Sequence, residues 1–350
     1  MKEIYPPRYE IIEALNMTSA TFVRKFAQKL GLFVTNSRQE DIANEISKIF
    51  LEEDDIETIR LEAYQRKVNH SLSGFTISSN TEDFSLAKNF NALLERGDFK
   101  KGIKLNSLRK LGEDEIYKGA YSYIRKKPAR IELLQHEENS FDFYLKRTEN
   151  GDWNVEIDST RPTDLKELID LFEPTLRRDQ ESLSTLDERF LSTKNSITFF
   201  DGLSKFGQSE GWNIDQISHV SIRRNQSDSE ESIESEELEQ NDLDGISQAI
   251  IEGRNLRENP FIENAISSGF NFSAMSYEFE HSKLPYRFEI RAEFKGRPKV
   301  FEVTIVKYYE IKGTEKIKND YTLSSKEHFD LRSKFWNFSK SVFEGLKNKN

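Results

Sequence analysis

The chain has 350 residues, no cysteine, a net charge of −10, a hydrophobic fraction of 36% and 26 phenylalanines. The lack of cysteine excludes disulfides, Cys-ligated zinc, iron–sulfur clusters and thiol catalysis, and aromatic bulk must supply much of the core. The opening MKEIYPPRYE lacks the basic and apolar regions of a signal peptide, and no stretch holds the roughly 18 apolar residues of a bilayer span, so a cytoplasmic protein with no membrane partner is expected.

Residues 1–70 predict a helical region. Ile11, Ile12 and Leu15 begin the pattern. Phe22, Val23, Phe26, Ala27 and Leu30 follow at helical spacing and stop at Gly31, a suitable C-cap. Asn36 or Ser37 caps a third helix carrying Ile42, Ile46, Ile49 and Phe50, and a charged helix covers 54–66. Residues 71–225 predict a mixed α+β region. Phe84 to Leu94 and Glu113 to Ile124 suggest helices, and the basic segment between them has no clear period. From Ile131 and Leu133 the period changes to two, continuing through Phe141, Phe143 and Leu145. Asn150-Gly151 marks a turn, and Trp153, Val155 and Ile157 return. Helices at 163–173 and 195–206 and a short strand at 216–223 follow.

Residues 226–244 are acidic, Ser-rich and free of aromatics, the composition of a linker or exposed loop that cannot bury enough apolar surface to order itself. They are expected to separate the preceding region from a C-terminal unit, 245–350. There a helix at 244–254 precedes a sheet in which Phe288, Ile290, Ala292 and Phe294 face one way and Arg287, Glu289, Arg291 and Glu293 the other. Lys295-Gly296-Arg297-Pro298 turns the chain into a strand from Val300 to Ile311. A capping box, Ser324 to Glu327, opens a terminal helix striped with Leu331, Phe335, Phe338, Val342 and Leu346. The expected fold is therefore α+β: a helical region, then two hairpin-plus-helix segments separated by an acidic linker.

Charge is unevenly placed. Residues 100–130 carry ten Lys or Arg against three acids. Within this stretch, Tyr121, Tyr123, Arg125, Lys126, Lys127 and Arg130 interleave rings with cations, as a nucleic-acid groove does. The alternative is an exposed basic turn. Earlier in the chain, Lys29-Leu30-Gly31-Leu32, the connector Phe33-Val34-Thr35 and Arg38, with Arg24 and Lys25 on the first helix, make residues 17–50 resemble the SAP/HeH class of helix–extended–helix DNA-binding modules. The resemblance covers about a tenth of the chain. The connector is one residue longer than usual, with Asn36-Ser37 in place of the usual glycine. It implies DNA contact through Arg24, Lys25, Lys29 and Arg38.

Catalytic signatures are few. Glu293-Phe294-Lys295 resembles the E-x-K end of the PD-(D/E)xK nuclease motif, in which the Glu and an upstream acid hold a divalent metal; Glu278, Glu280 or Glu289 could supply that acid. A solvated strand face would show the same alternation. Gly207-Gln208-Ser209-Glu210-Gly211 matches G-x-S-x-G but follows a helix-like run, where a nucleophile elbow needs a strand. The stretch from Gln240 to Glu252 imitates an EF-hand loop but lacks ligands at its first and last positions. The five histidines are scattered, and no phosphate-cradling glycine loop occurs. The expectation is a non-catalytic macromolecule-binding accessory protein without a cofactor, with nucleic acid or a protein as partner. A prokaryotic genome-maintenance or phage-defence setting would suit it. The competing readings are a metal-dependent nuclease using Glu293 and Lys295, and a pure protein-interaction subunit.

Overall fold

The computed structural model describes residues 5–33, 38–64, 71–78, 103–111, 116–126, 131–148, 150–159, 161–179, 182–224, 246–296, 299–312, 315–317 and 325–347. They form a mixed α+β protein with eight α-helices and an antiparallel sheet, divided into two compact units. No helix among the described residues is long and apolar enough to cross a membrane.

The first unit gathers residues 1–68, 101–106 and 121–140. Its helices are α1 (Arg8–Asn16), α2 (Ala20–Lys29), α3 (Gln39–Ile46) and α4 (Glu53–Tyr64). All four are too short to persist alone in water, and they bury their apolar sides in one core built from Ile11, Leu15, Val23, Phe26, Ile42, Ile46 and Ile59. The Ser19 hydroxyl accepts from the Phe22 N–H to start α2. At its other end Gly31 adopts φ +76°. Gly31 N–H then donates to the Gln28 carbonyl at 3.0 Å and Leu32 N–H to the Ala27 carbonyl at 2.9 Å, the paired bonds of a Schellman cap.

Two side chains tie distant segments of this unit together. The Gln39 amide donates to the carbonyls of Leu15 and Thr18 at 3.0 and 3.2 Å, satisfying backbone acceptors at the end of α1. The buried Glu10 carboxylate accepts from the backbone N–H groups of Glu132 and Leu133 at 3.2 and 2.9 Å. That bond holds a 3₁₀ turn, Glu132–Leu134, where the sequence predicts a strand. Because α3 ends at Ile46, Phe50 is not a core residue of that helix. It is exposed and stacks on Tyr5 with ring centres 5.2 Å apart.

The second unit gathers residues 69–100, 107–120 and 141–350. In chain order its strands are β1 (Ser71–Ser78), β2 (Ile103–Leu111), β3 (Ile116–Lys126), β4 (His136–Arg147), β5 (Trp153–Ser159), β6 (Ser182–Thr185), β7 (Trp212–Arg224), β8 (Gln248–Glu252), β9 (Phe270–His281), β10 (Tyr286–Lys295), β11 (Val300–Lys312) and β12 (Glu315–Ile317). Parts of β2, β3 and β4 belong to the first unit. The sheet order is β2-β3-β4-β5-β1-β11-β10-β9-β7-β8, with β12 on β11 and β6 on β1. Its helices are α5 (Pro162–Asp179), α6 (Thr193–Leu203), α7 (Pro260–Ser267) and α8 (Ser325–Lys347).

Successive residues of β1 show how helices cover both faces. Phe75 packs edge-on against Phe172 of α5 at 5.5 Å, whereas a Cβ added at its neighbour Gly74 would meet the ring of Trp336 of α8 at 3.0 Å. Adjacent strand residues point to opposite faces, so α5 and α8 lie on opposite sides of the sheet. The main core lies on the α8 side, where Phe199, Phe200, Phe206, Tyr277, Phe279, Phe288, Phe294, Phe301 and Phe335 interlock. Towards β5 the same helix is polar. The fully buried Glu156 accepts from Lys146 Nζ at 2.9 Å, Ser333 Oγ at 2.6 Å and Asn337 Nδ2 at 2.9 Å, and Arg332 is bidentate on Asp158 at 2.9 and 3.1 Å.

Several sequence expectations are corrected. The helix expected over 113–124 is β3, and the unassigned basic segment before it is β2. Gly119 leaves room for the ring of Phe143, which a Cβ there would approach to 2.1 Å. The helix expected over 244–254 is β8, whose Ile250 is exposed. The regions 71–225 and 245–350 share one sheet, since β7 pairs with β8 through Val220 and Ile251. The acidic segment thus joins two paired strands of one unit; it and the helix expected over 84–94 lie outside the described residues.

Candidate functional site

The surface of α2 and the start of α3 carries the four cations named for the helix–connector–helix resemblance. Val23, Phe26 and Ala27 point into the core, which leaves Arg24, Lys25, Gln28 and Lys29 exposed on the other side of α2. Arg38 is exposed at the N-cap of α3, where its backbone N–H donates to Asp41 Oδ2 at 3.3 Å. Lys29 pairs with Asp55 at 3.0 Å and lies 5.7 Å from the Phe26 ring centre. Phe33, directly after the Schellman cap, is 100% exposed. Residues 34–37 of the connector lie outside the described residues.

The second predicted basic site is arranged differently. Tyr121 and Tyr123 lie two residues apart on β3, hence on the same face. They are buried, with near-parallel rings 6.3 Å apart. This corrects the expectation that their rings are available to bases. Arg125 is half-buried. Lys127, Arg130 and the side chain of Lys126 lie outside the described residues.

The nuclease-like residues stand at the end of β10. Lys295 Nζ lies 3.5 Å from Glu293 Oε1, and Glu302 faces Glu293 across β11. The upstream acids are held by other partners. Glu280 pairs with Arg287. Glu278 accepts from Gln216 Nε2 at 2.5 Å and Tyr309 Oη at 2.9 Å. Glu289 accepts from Ser218 Oγ at 2.8 Å and Lys307 Nζ at 2.7 Å. Among the described residues no group of three or more His, Asp or Glu is arranged to hold a metal ion. The alternation Arg287-Glu289-Arg291-Glu293 reads as a solvated face, yet Glu278, Glu289 and Glu302 are buried. Their burial comes from strand neighbours distant in sequence, for which no local pattern exists.

Gly207 to Gly211 connects α6 to β7 through a 3₁₀ turn, Gln208–Glu210, with both glycines at positive φ; no strand enters Ser209. His219 lies beside Glu252, Nδ1 to Oε1 3.4 Å, and burial, aided by the charge of Arg291, holds its pKa below the usual histidine value. The His281 ring nitrogen Nδ1 accepts from the backbone N–H groups of Lys283 and Leu284, a structural role. Compared with protein-family models and with curated proteins, the chain matches none.

Proposed function

We propose that this chain is a cytoplasmic, non-catalytic nucleic-acid-binding protein whose contact surface is the α2–α3 segment. The observation that carries this reading is the outward placement of Arg24, Lys25, Lys29 and Arg38 around a connector whose Phe33 is wholly exposed. Cations meet phosphates and release counterions, while an exposed ring offers a stacking surface to an unpaired base. A net charge of −10 disfavours general coating of a polyanion and confines binding to local basic patches such as this one.

The test is a fluorescence-anisotropy titration with single- and double-stranded DNA and RNA at low salt. Binding at micromolar protein that weakens steeply with salt is expected. Reversing Arg24 and Lys25 to Glu, neither of which has a partner among the described residues, should abolish it with the melting temperature unchanged. No binding by the folded wild-type chain overturns the reading in favour of a protein-interaction subunit.

A further inference from the structure

On the side of the sheet opposite α8, strands β7 to β11 form the floor of a cleft of about 600 Å³, within the size range of small-molecule sites. Glu278 and Glu289 lie directly across from each other on β9 and β10 and are only 3% and 4% exposed. Burying two adjacent carboxylates is costly unless each is hydrogen-bonded. Here all four oxygens accept from the protein's own donors, Gln216, Tyr309, Ser218 and Lys307. Every oxygen of the floor acids is therefore hydrogen-bonded, with Lys307 paired to Glu289 and Arg287 3.5 Å from Glu278, so these acids offer little to a further cation.

The cations of the cleft are in the opposite condition. Arg291 shares a cross-strand row with Ser276 and His219. Its Nε donates to Ser276 Oγ at 3.1 Å, which fixes the guanidinium plane, while its two terminal nitrogens have no partner among the described residues. Arg254 is exposed at the rim and also without a partner among the described residues. Lys307, held by Glu289, is half exposed. A guanidinium fixed at Nε presents a fork of donors that matches two phosphate oxygens. The one exposed carboxylate of the lining, Glu252, sits at the rim beside His219 and opposes an anion.

From this imbalance, saturated acceptors beneath unsatisfied donors, we infer that the cleft binds a phosphate-bearing small molecule through Arg291, with Arg254 and Lys307 at its edge. This site belongs to the second unit and is independent of the nucleic-acid surface proposed for the first.

The test is isothermal titration of the full chain with pyrophosphate at constant ionic strength, with malonate as the carboxylate comparison. Saturable pyrophosphate binding, tighter than that of malonate, is expected. Arg291→Gln should weaken it by about tenfold or more, Arg291→Lys should only partly restore it, and Glu252→Gln should tighten it. Arg254→Gln, on an exposed side chain, should weaken binding with no effect on folding and so serves if Arg291→Gln misfolds. The Arg24→Glu, Lys25→Glu chain should bind pyrophosphate like wild type, separating failure here from failure of the nucleic-acid reading. Absence of saturable binding at millimolar pyrophosphate, tighter malonate binding, or indifference to both arginine substitutions would overturn the inference.

Discussion

Glu302 on β11 stands directly across from Glu293 on β10, and it is 1% exposed with Oε1 lacking a hydrogen-bond partner among the described residues. Burial pushes its pKa from 4.5 up to about 7, with Glu293 and Asp164 adding to the shift and Lys295 and Ser71 opposing it. The folded chain therefore holds this proton more tightly than the unfolded chain does. The resulting stability is fully present below pH 4.5 and is lost as pH rises to about 7. The shift corresponds to an effect on the order of 3 kcal/mol. Glu302→Gln should remove that slope, stabilising the protein more at pH 8 than at pH 5. Thermal melts across this range check it, and an unchanged pH dependence in the variant would contradict it.

Gly74 lies where β1 passes beneath α8. A Cβ there would come within 2.4 Å of the Val155 carbonyl oxygen and 3.0 Å of the Trp336 ring. The carbonyl belongs to a paired strand and cannot move aside alone, so Gly74→Ala should cost about 1–3 kcal/mol through overpacking. Urea unfolding followed by tryptophan fluorescence measures this. A loss under about 0.5 kcal/mol would show that the strand pair yields.

Phe335 and Phe338 share the sequence stripe of α8 but differ in the structure. Phe335 is fully buried against Phe206, Tyr277 and Phe279, whereas Phe338 is partly buried and touches Phe206. Phe335→Ala should cost about 3–5 kcal/mol and Phe338→Ala clearly less. Equal losses in denaturant melts would mean that both rings are equally enclosed.

Phe33 and Tyr123 should respond in opposite ways. Phe33→Ala removes an exposed ring, so it should weaken single-stranded binding with the melting temperature unchanged. Tyr123→Ala removes a buried ring stacked on Tyr121, so it should lower the melting temperature. Anisotropy titrations and thermal melts on both variants separate the roles; a Tyr123→Ala chain of wild-type stability would return that ring to the surface.

The sequence by itself determined those elements whose signals are local. The helical spacing from Phe22 to Leu30 and the Gly31 stop mark α2, alternation from Phe288 to Phe294 marks β10, and the apolar stripe ending at Leu346 marks α8. Caps and periodicity act over a few residues, so a linear reading can see them. Only the tertiary structure decided what depends on distant partners. SLSGFTIS of β1 is buried at seven of eight positions and so shows no alternation that could announce a strand. The tyrosines of β3 were legible as aromatic among cations, yet their burial depends on neighbours that no spacing encodes. The cations of α2 were readable, because the apolar side of a short helix fixes which residues face water. The cleft was not, because Gln216, Glu278, Glu289 and Lys307 come from four strands and meet only through sheet register. Register follows from the burial of the opposite face: the phenylalanines that pack under α6 and α8 decide which polar residues converge on the other side.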